Sequence, residues 1–306
     1  MSFSYQIAAD RLEELKKSAP FLSPSARLAS FKRFAFNRQR DAMCTSQTLA
    51  RAGFISSVSR DSPNSAKCPF CRLELEFEKD DDPWQEHKKH SPKCEFVKMD
   101  KPDELLWTLR DVVVLAIRCA TNEKYKEVKD VIDQLETQEK EVTEGLFSRE
   151  EASKILLELR DGSKYLTYSH RLESFGDLEF DEKKGATCTS KTLAYAGWYK
   201  LMSDDLLPFA KCPFCLLELE FEITDDPWVE HKKHSPNCDF VTIGQLDDNF
   251  WTKDEGVHLA VRSATMGRYE TGLWLVEEME REKRDDEIKE TMKMFMGKSR
   301  RRRTYN

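Results

Sequence analysis

The chain has 306 residues, 34% of them charged, with a formal net charge of −7 and a pI near 5.6. That length suits two domains of roughly 100 to 200 residues, each burying its own core, and the acidic balance argues against a general phosphate-binding surface, so direct nucleic-acid binding is not expected. No run of about 18 apolar residues could span a membrane, "MSFSYQIAADRLEELKK" has no apolar core of signal-peptide length, and nine cysteines are an odd set; the expected home is reducing, nucleus or cytoplasm, where closely spaced cysteines bind metal more often than they pair.

In chain order, a short helix is expected near residues 5 to 17. "CTSQTLARAG" places a second short helix after Cys44, capped by Thr45 or Ser46 and ended by Gly53. "LELEFE" then alternates strictly, Leu73, Leu75 and Phe77 on one face and Glu74, Glu76 and Glu78 on the other, which is strand periodicity with an acidic outer face. In "DDPWQEHKKHSP", Asp82 is placed to cap a helix, Pro83 sits at its first position, and Ser91-Pro92 stops it. Beyond Cys94, Leu105, Leu109, Val112, Ala116 and Cys119, then Val128, Ile132 and Leu135, are spaced for one long amphipathic helix over about 103–142, with a phase slip between Cys119 and Val128.

The same order then returns. A shift of 144 residues carries "RLASF" at Arg27 onto "RLESF" at Arg171, Cys68 onto Cys212, Trp84 onto Trp228, His87 onto His231 and Tyr125 onto Tyr269 without a gap. Two copies are too few for a solenoid, so the expectation is two globular units, 1–144 and 145–306. In the second copy the opening helix is expected at 149–160, with Ser148 and Glu151 as a capping box and Gly162 as its stop, and the long helix at about 252–297. A basic tail, "SRRRR", follows at 299–303; a frayed tail is the commoner case, with nuclear import or phosphate contact as the functional ones.

Cys68-x2-Cys71, a histidine, and Cys94 supply three thiolates and an imidazole, a donor set suited to tetrahedral zinc. Spacing alone leaves His87 and His90, three apart on one helix, both able to be the ligand. Four protein ligands close the coordination sphere, so each copy reads as a structural staple without an open catalytic position. Cys44 and Cys188 read as buried packing, and Cys119 faces Ser263 in the other copy, so neither position is a required ligand. No paired nucleophile and base suggests itself, and an enzyme is not expected.

"RLASF", "CTSQTLARAGF", "CPFC" and "DDPWQEHKKHSPKC", in this order and twice over, resemble the baculoviral inhibitor-of-apoptosis repeat, the BIR domain, in its survivin-like, chromosomal-passenger type. The resemblance covers about residues 20–98 and 164–242 as the domains proper. It implies an α+β fold, each module a small three-stranded sheet among short helices followed by a long α-helix, with Gly53 and Gly197 at the turn after the "CTS" helix and Arg27 and Arg171 as structural arginines. It selects His87 and assigns two zinc ions, one to Cys68, Cys71, His87 and Cys94, the other to Cys212, Cys215, His231 and Cys238.

The resemblance further implies capture of a free N-terminus in a groove beside the third strand, at Leu75, Glu76, Phe77, Asp81 and His90, and at Leu219, Glu220, Phe221, Asp225 and His234. A histone tail or an apoptotic antagonist would be the ligand, and helices of chromosomal-passenger subunits the second kind of partner. The implied role is an adaptor in chromosome segregation and cytokinesis, on chromosomes or spindle; the alternative is an apoptosis inhibitor binding caspases or their antagonists. Departures from the family pattern are a segment one residue shorter between the second cysteine and the histidine, a lone phenylalanine in place of glycine-tryptophan, and Leu73 and Leu217 where survivin has a phosphate-holding lysine. The second falls in the groove itself, and the third makes phosphate reading unexpected and leaves plain amine capture as the expectation. No cysteine follows Cys238 to build the RING of the family's ubiquitin ligases.

Overall fold

The computed structural model describes residues 5–32, 34–101, 103–138, 148–201 and 209–296. The basic tail at 299–303 lies outside them, as do the expected ends of both long helices at 139–142 and 297. The first repeat contains α1 (Tyr5–Ser18), α2 (Pro24–Ser30), α3 (Ser46–Arg51), β1 (Ile55–Ser56), β2 (Ser65–Lys67), β3 (Glu74–Glu76), α4 (Pro83–His90), α5 (Glu95–Lys98) and α6 (Leu109–Gln138). The second contains α7 (Arg149–Gly162), α8 (Tyr168–Phe175), α9 (Ser190–Tyr195), β4 (Tyr199–Lys200), β5 (Phe209–Lys211), β6 (Glu218–Glu220), α10 (Pro227–His234), α11 (Asp239–Ile243), α12 (Lys253–Arg281) and α13 (Asp285–Met296). Each repeat has one antiparallel three-stranded sheet, in the orders β1-β2-β3 and β4-β5-β6. The expected α+β class is observed.

The capping signals act as the sequence places them. Thr45 accepts from the Thr48 amide and Thr48 answers it, so Thr45, not Ser46, caps α3. Asp82 accepts from the Trp84 and Gln85 amides above Pro83, and Ser148 with Glu151 closes the box on α7. Gly53, at φ +91, turns the chain after α3, and a Cβ there would meet the Phe96 ring at 2.7 Å. Only glycine satisfies both the left-handed backbone and that approach.

The long segments differ from expectation at their ends. The first helix starts at Leu109, because Glu104–Leu106 forms a separate 3-10 turn capped by Asp103, leaving Leu105 70% exposed. The second is two helices, interrupted where Lys283 takes φ 53. α6 is one uninterrupted helix, and its buried row shifts where the phase slip was expected: Asn122 and Glu123, which would follow Cys119, are half-buried and exposed, and burial passes instead through Thr121 and Tyr125 to Val128.

The fold divides into two compact units, Met1–Glu123 with Thr271–Asn306, and Lys124–Glu270. The duplication cuts the sequence at 144, whereas each compact unit takes helix from both copies. In the first unit, Asn122 at the middle of α6 donates to the Pro69 carbonyl at 2.7 Å, and Arg118 pairs with Glu95 of α5 at 3.4 Å. Arg110 pairs with Glu277 of α12 at 2.6 Å, and α1 packs on α13. In the second unit, Tyr125, Val128 and Val131 of α6 pack with Ala152 and Ile155 of α7 and Val261 of α12. Tyr125 donates to Asp254, and Lys253 pairs with Glu136. Gly162, the last residue of α7, is a packing position, since a Cβ there would lie 2.9 Å from that of Ala264.

Candidate zinc centres and sheet edges

In each repeat the "CPFC" turn, the middle of the histidine helix and the start of the next helix converge. Cys68, Cys71, His87 and Cys94 bring their ligand atoms within 4.8 Å of one another, and so do Cys212, Cys215, His231 and Cys238. His87 and Cys94 are buried and Cys71 is half-buried. The His87 Nε2 faces the Cys71 sulfur at 3.5 Å, while its Nδ1 meets the Ala52 carbonyl at 2.7 Å. His231 repeats this with Cys215 at 3.7 Å and the Ala196 carbonyl at 2.8 Å. The backbone carbonyl fixes the tautomer by accepting from Nδ1, leaving the Nε2 lone pair for a cation.

The sulfurs are prepared for the same ion. The Phe70 amide donates to Cys68 at 3.3 Å and the Phe214 amide to Cys212 at 3.4 Å. Hydrogen bonds from Cys68 and then Cys94 hold Cys71 far below the usual thiol range, whereas burial pushes Cys68 up. Three crowded thiols cannot all ionise without a dication among them. Two Cys3His sets, closed by four protein donors and free of carboxylate oxygen, fit tetrahedral zinc.

His90 and His234 are outside these sets. His90 Nε2 lies 3.2 Å from Glu86 and His234 Nε2 lies 3.1 Å from Glu230, both histidines exposed. The structure therefore distinguishes His87 from His90, which spacing could not. Cys44, Cys119 and Cys188 are fully buried, and burial pushes each thiol up to about 12.

Of the groove candidates, Leu75 and Glu76 lie on β3 and Leu219 and Glu220 on β6. Cys68 donates to Leu73 at 2.8 Å and Phe77 to Asn64 at 3.3 Å, and Ala66 opposes Leu75. Bonded pairs alternate along an antiparallel ladder, so Leu75 and Phe77 turn their backbone inward and Glu74 and Glu76 turn theirs to the outer side of β3. Glu218 and Glu220 do the same on β6, where Cys212 donates to Leu217 at 3.0 Å. Leu75 and Leu219 are half-buried and Glu76 and Glu220 exposed. One Asp81 oxygen accepts from the Glu78 amide at 2.7 Å, and Asp225 likewise from Glu222.

Phe77 and Phe221 stand differently from their groove expectation. At 2% and 1% exposure, their rings pack edge-on against Phe54 and Trp198 at 5.2 and 5.1 Å. They are core residues, and neither side chain nor backbone reaches the edge. Glu74 and Glu218, which the sequence reading did not single out for the groove, share the outward backbone side with Glu76 and Glu220.

The Inhibitor of Apoptosis domain, BIR, matches residues 27–98 and 171–242. Over 296 residues, 97% of this chain and 96% of the relative, the protein is 43% identical to the baculoviral IAP repeat-containing protein bir-2 of Caenorhabditis elegans. It is 46% identical over 103 residues to the chromosomal passenger complex protein bir-1 of the same organism, covering 33% of this chain and 64% of that one. To the mouse baculoviral IAP repeat-containing protein 5 it is 40% identical over 105 residues, 34% and 73% of the two chains. With two matched domains, one Cys3His set in each, and likeness to a relative along nearly its whole length, the chain belongs to the family of BIR-containing proteins.

Proposed function

We propose that the protein is a non-enzymatic adaptor of chromosome segregation and cytokinesis, each BIR stapled by one structural zinc and capturing a free N-terminal tail along β3 or β6. The observation that carries this reading is the outward backbone of Glu74 and Glu76, with exposed carboxylates around it. An extended peptide can add as a further strand there while its terminal ammonium is met by acidic side chains. The likeness to a relative named as a chromosomal passenger complex protein favours that assembly, with chromosomes, spindle, nucleus and cytoplasm as its places. The closed Cys3His sets favour folding over catalysis as the role of the metal, which contributes on the order of 10 kcal/mol in small zinc modules.

The helical faces that could meet partner helices are largely engaged within the chain: Val112, Val113, Ala116, Val128 and Val131 are all fully buried. Tail capture is therefore the leading interaction, and partner helices are confined to surfaces outside these rows. The test is binding of the full chain to free-amine peptides beginning Ala-Arg-Thr-Lys, as a histone tail does, or Ala-Val-Pro-Ile, as an apoptotic antagonist does, each with an acetylated control. Preference for the first, lost on acetylation and weakened roughly tenfold or more by Glu76→Ala or Glu220→Ala, is the expected result. Preference for the second favours the inhibitor-of-apoptosis reading. Binding that ignores acetylation refutes amine capture.

A further inference from the structure

The second repeat carries a cavity that the zinc and the sheet edge do not use. It measures about 580 Å³ and is walled by Tyr168, Tyr195 and Trp228, with Asp226 and Lys191 in its lining, a size typical of small-ligand sites. The tyrosine rings meet edge-to-face, centroids 6.1 Å apart at 82°. Tyr168 is held by its amide, which donates to Asp248 at 2.7 Å. Tyr195 is 44% exposed, so its ring keeps much of its surface toward solvent. Trp228 already takes part in a cation–π contact, with the Lys232 Nζ 5.3 Å from its centroid.

The equivalent positions of the first repeat are Pro24 for Tyr168, Arg51 for Tyr195 and Gln47 for Lys191, with Asp82 and Trp84 unchanged. Two aromatic walls thus belong to the second copy alone, and where one stands the first copy has a guanidinium that repels cations. The geometry points to the second-repeat cavity as a receptor for a methylated alkylammonium head, the side chain of a methylated lysine on a partner chain. Aromatic faces attract such a diffuse cation and solvate its methyl groups, and the Asp226 carboxylate adds a counter-charge. Lys191 opposes it, which makes the sign of a substitution there informative.

The probe is a peptide with an acetylated N-terminus and one trimethyllysine, titrated into the full zinc-loaded chain and followed by tryptophan fluorescence and calorimetry. The acetyl group keeps it from amine capture, so this inference and the sheet-edge reading fail separately. Saturable binding at least tenfold tighter than for the unmethylated peptide, competed by tetramethylammonium, is expected. Tyr195→Arg, which installs the first repeat's residue at an exposed position, should abolish the preference; Lys191→Gln should tighten binding several-fold. Equal affinity for methylated and unmethylated peptides, no competition by tetramethylammonium, or a Tyr195→Arg variant that binds as the parent does would each overturn the assignment.

Discussion

A guanidinium without exposed surface is costly unless its donors are met, and Arg27 is 0% exposed. Its Nε donates to the Ala50 carbonyl at 2.8 Å, and its Nη1 donates to Phe21 at 3.2 Å and Leu22 at 2.5 Å. The plane lies over the Phe70 and Phe96 rings, 5.6 and 5.4 Å from their centroids. Burial pulls its pKa down to about 10, which still leaves it charged at neutral pH. One side chain thus joins the start of α2, the end of α3 and the rings beside the zinc ligands, and Arg171 repeats these contacts with Ala194 and Leu166. Arg27→Ala should cost about 3–5 kcal/mol, because the carbonyls around it lose their donor. Arg27→Lys should recover only part of this, since an ammonium cannot reach three carbonyls in a plane. Urea melts decide it: a loss under about 1 kcal/mol for Arg27→Ala would remove the arginine as a brace.

At the scale of elements, α7 shows how a local signal serves a distant core. Ser148 caps it, and hydrogen bonds from the Ser148 backbone amide and then its hydroxyl hold the Glu151 carboxyl below its ordinary range. A depressed carboxylate stabilises the fold above its unfolded pKa and loses that contribution as pH falls through its folded value. Ser148→Ala removes the hydroxyl that caps the helix and bonds Glu151, so it should lower the denaturation midpoint at neutral pH, with the part of the gap that comes from Glu151 lost as that carboxyl protonates. Denaturant melts of both chains from neutral to acid pH measure it; a gap undiminished in acid would mean the cap acts without Glu151. Ser148 and Asp82 were legible because a cap is written within four residues, while Thr45 was one of two adjacent candidates that only the structure separates. The metal set was legible in the same way, its ligand types and order falling in one short stretch. The 3-10 turn before α6 and the break at Lys283 were not, for they depend on what the flanking chain packs against. The burial of Phe77 follows from the same strand alternation, which put it on the apolar face opposite the acidic one; only its place in the groove came from the family resemblance.

At the scale of the molecule, the copy boundary and the folding boundary are different objects. The cluster of Tyr125, Val128 and Val131 with Ala152, Ile155 and Val261 joins residues on both sides of position 144, and Val128 and Val131 are fully buried in it. Cutting the chain between 144 and 145 turns this packing from intramolecular, at an effective concentration of order millimolar, into a bimolecular contact. Each half should then unfold at lower denaturant than the intact chain and expose the apolar end of α6 or the faces of α7 and α12. An equimolar mixture of 1–144 and 145–306 should reassemble, its melting temperature rising with protein concentration. Val131→Asp in the first half should block this, because the carboxylate would enter a site with no partner for it, a cost of several kcal/mol. Sedimentation of the mixture and its melting curve read both effects. If the two halves melt independently at the intact chain's temperature, the copies fold alone and the shared helices are incidental. If they reassemble, the duplication has made each repeat complete the helical core of the other.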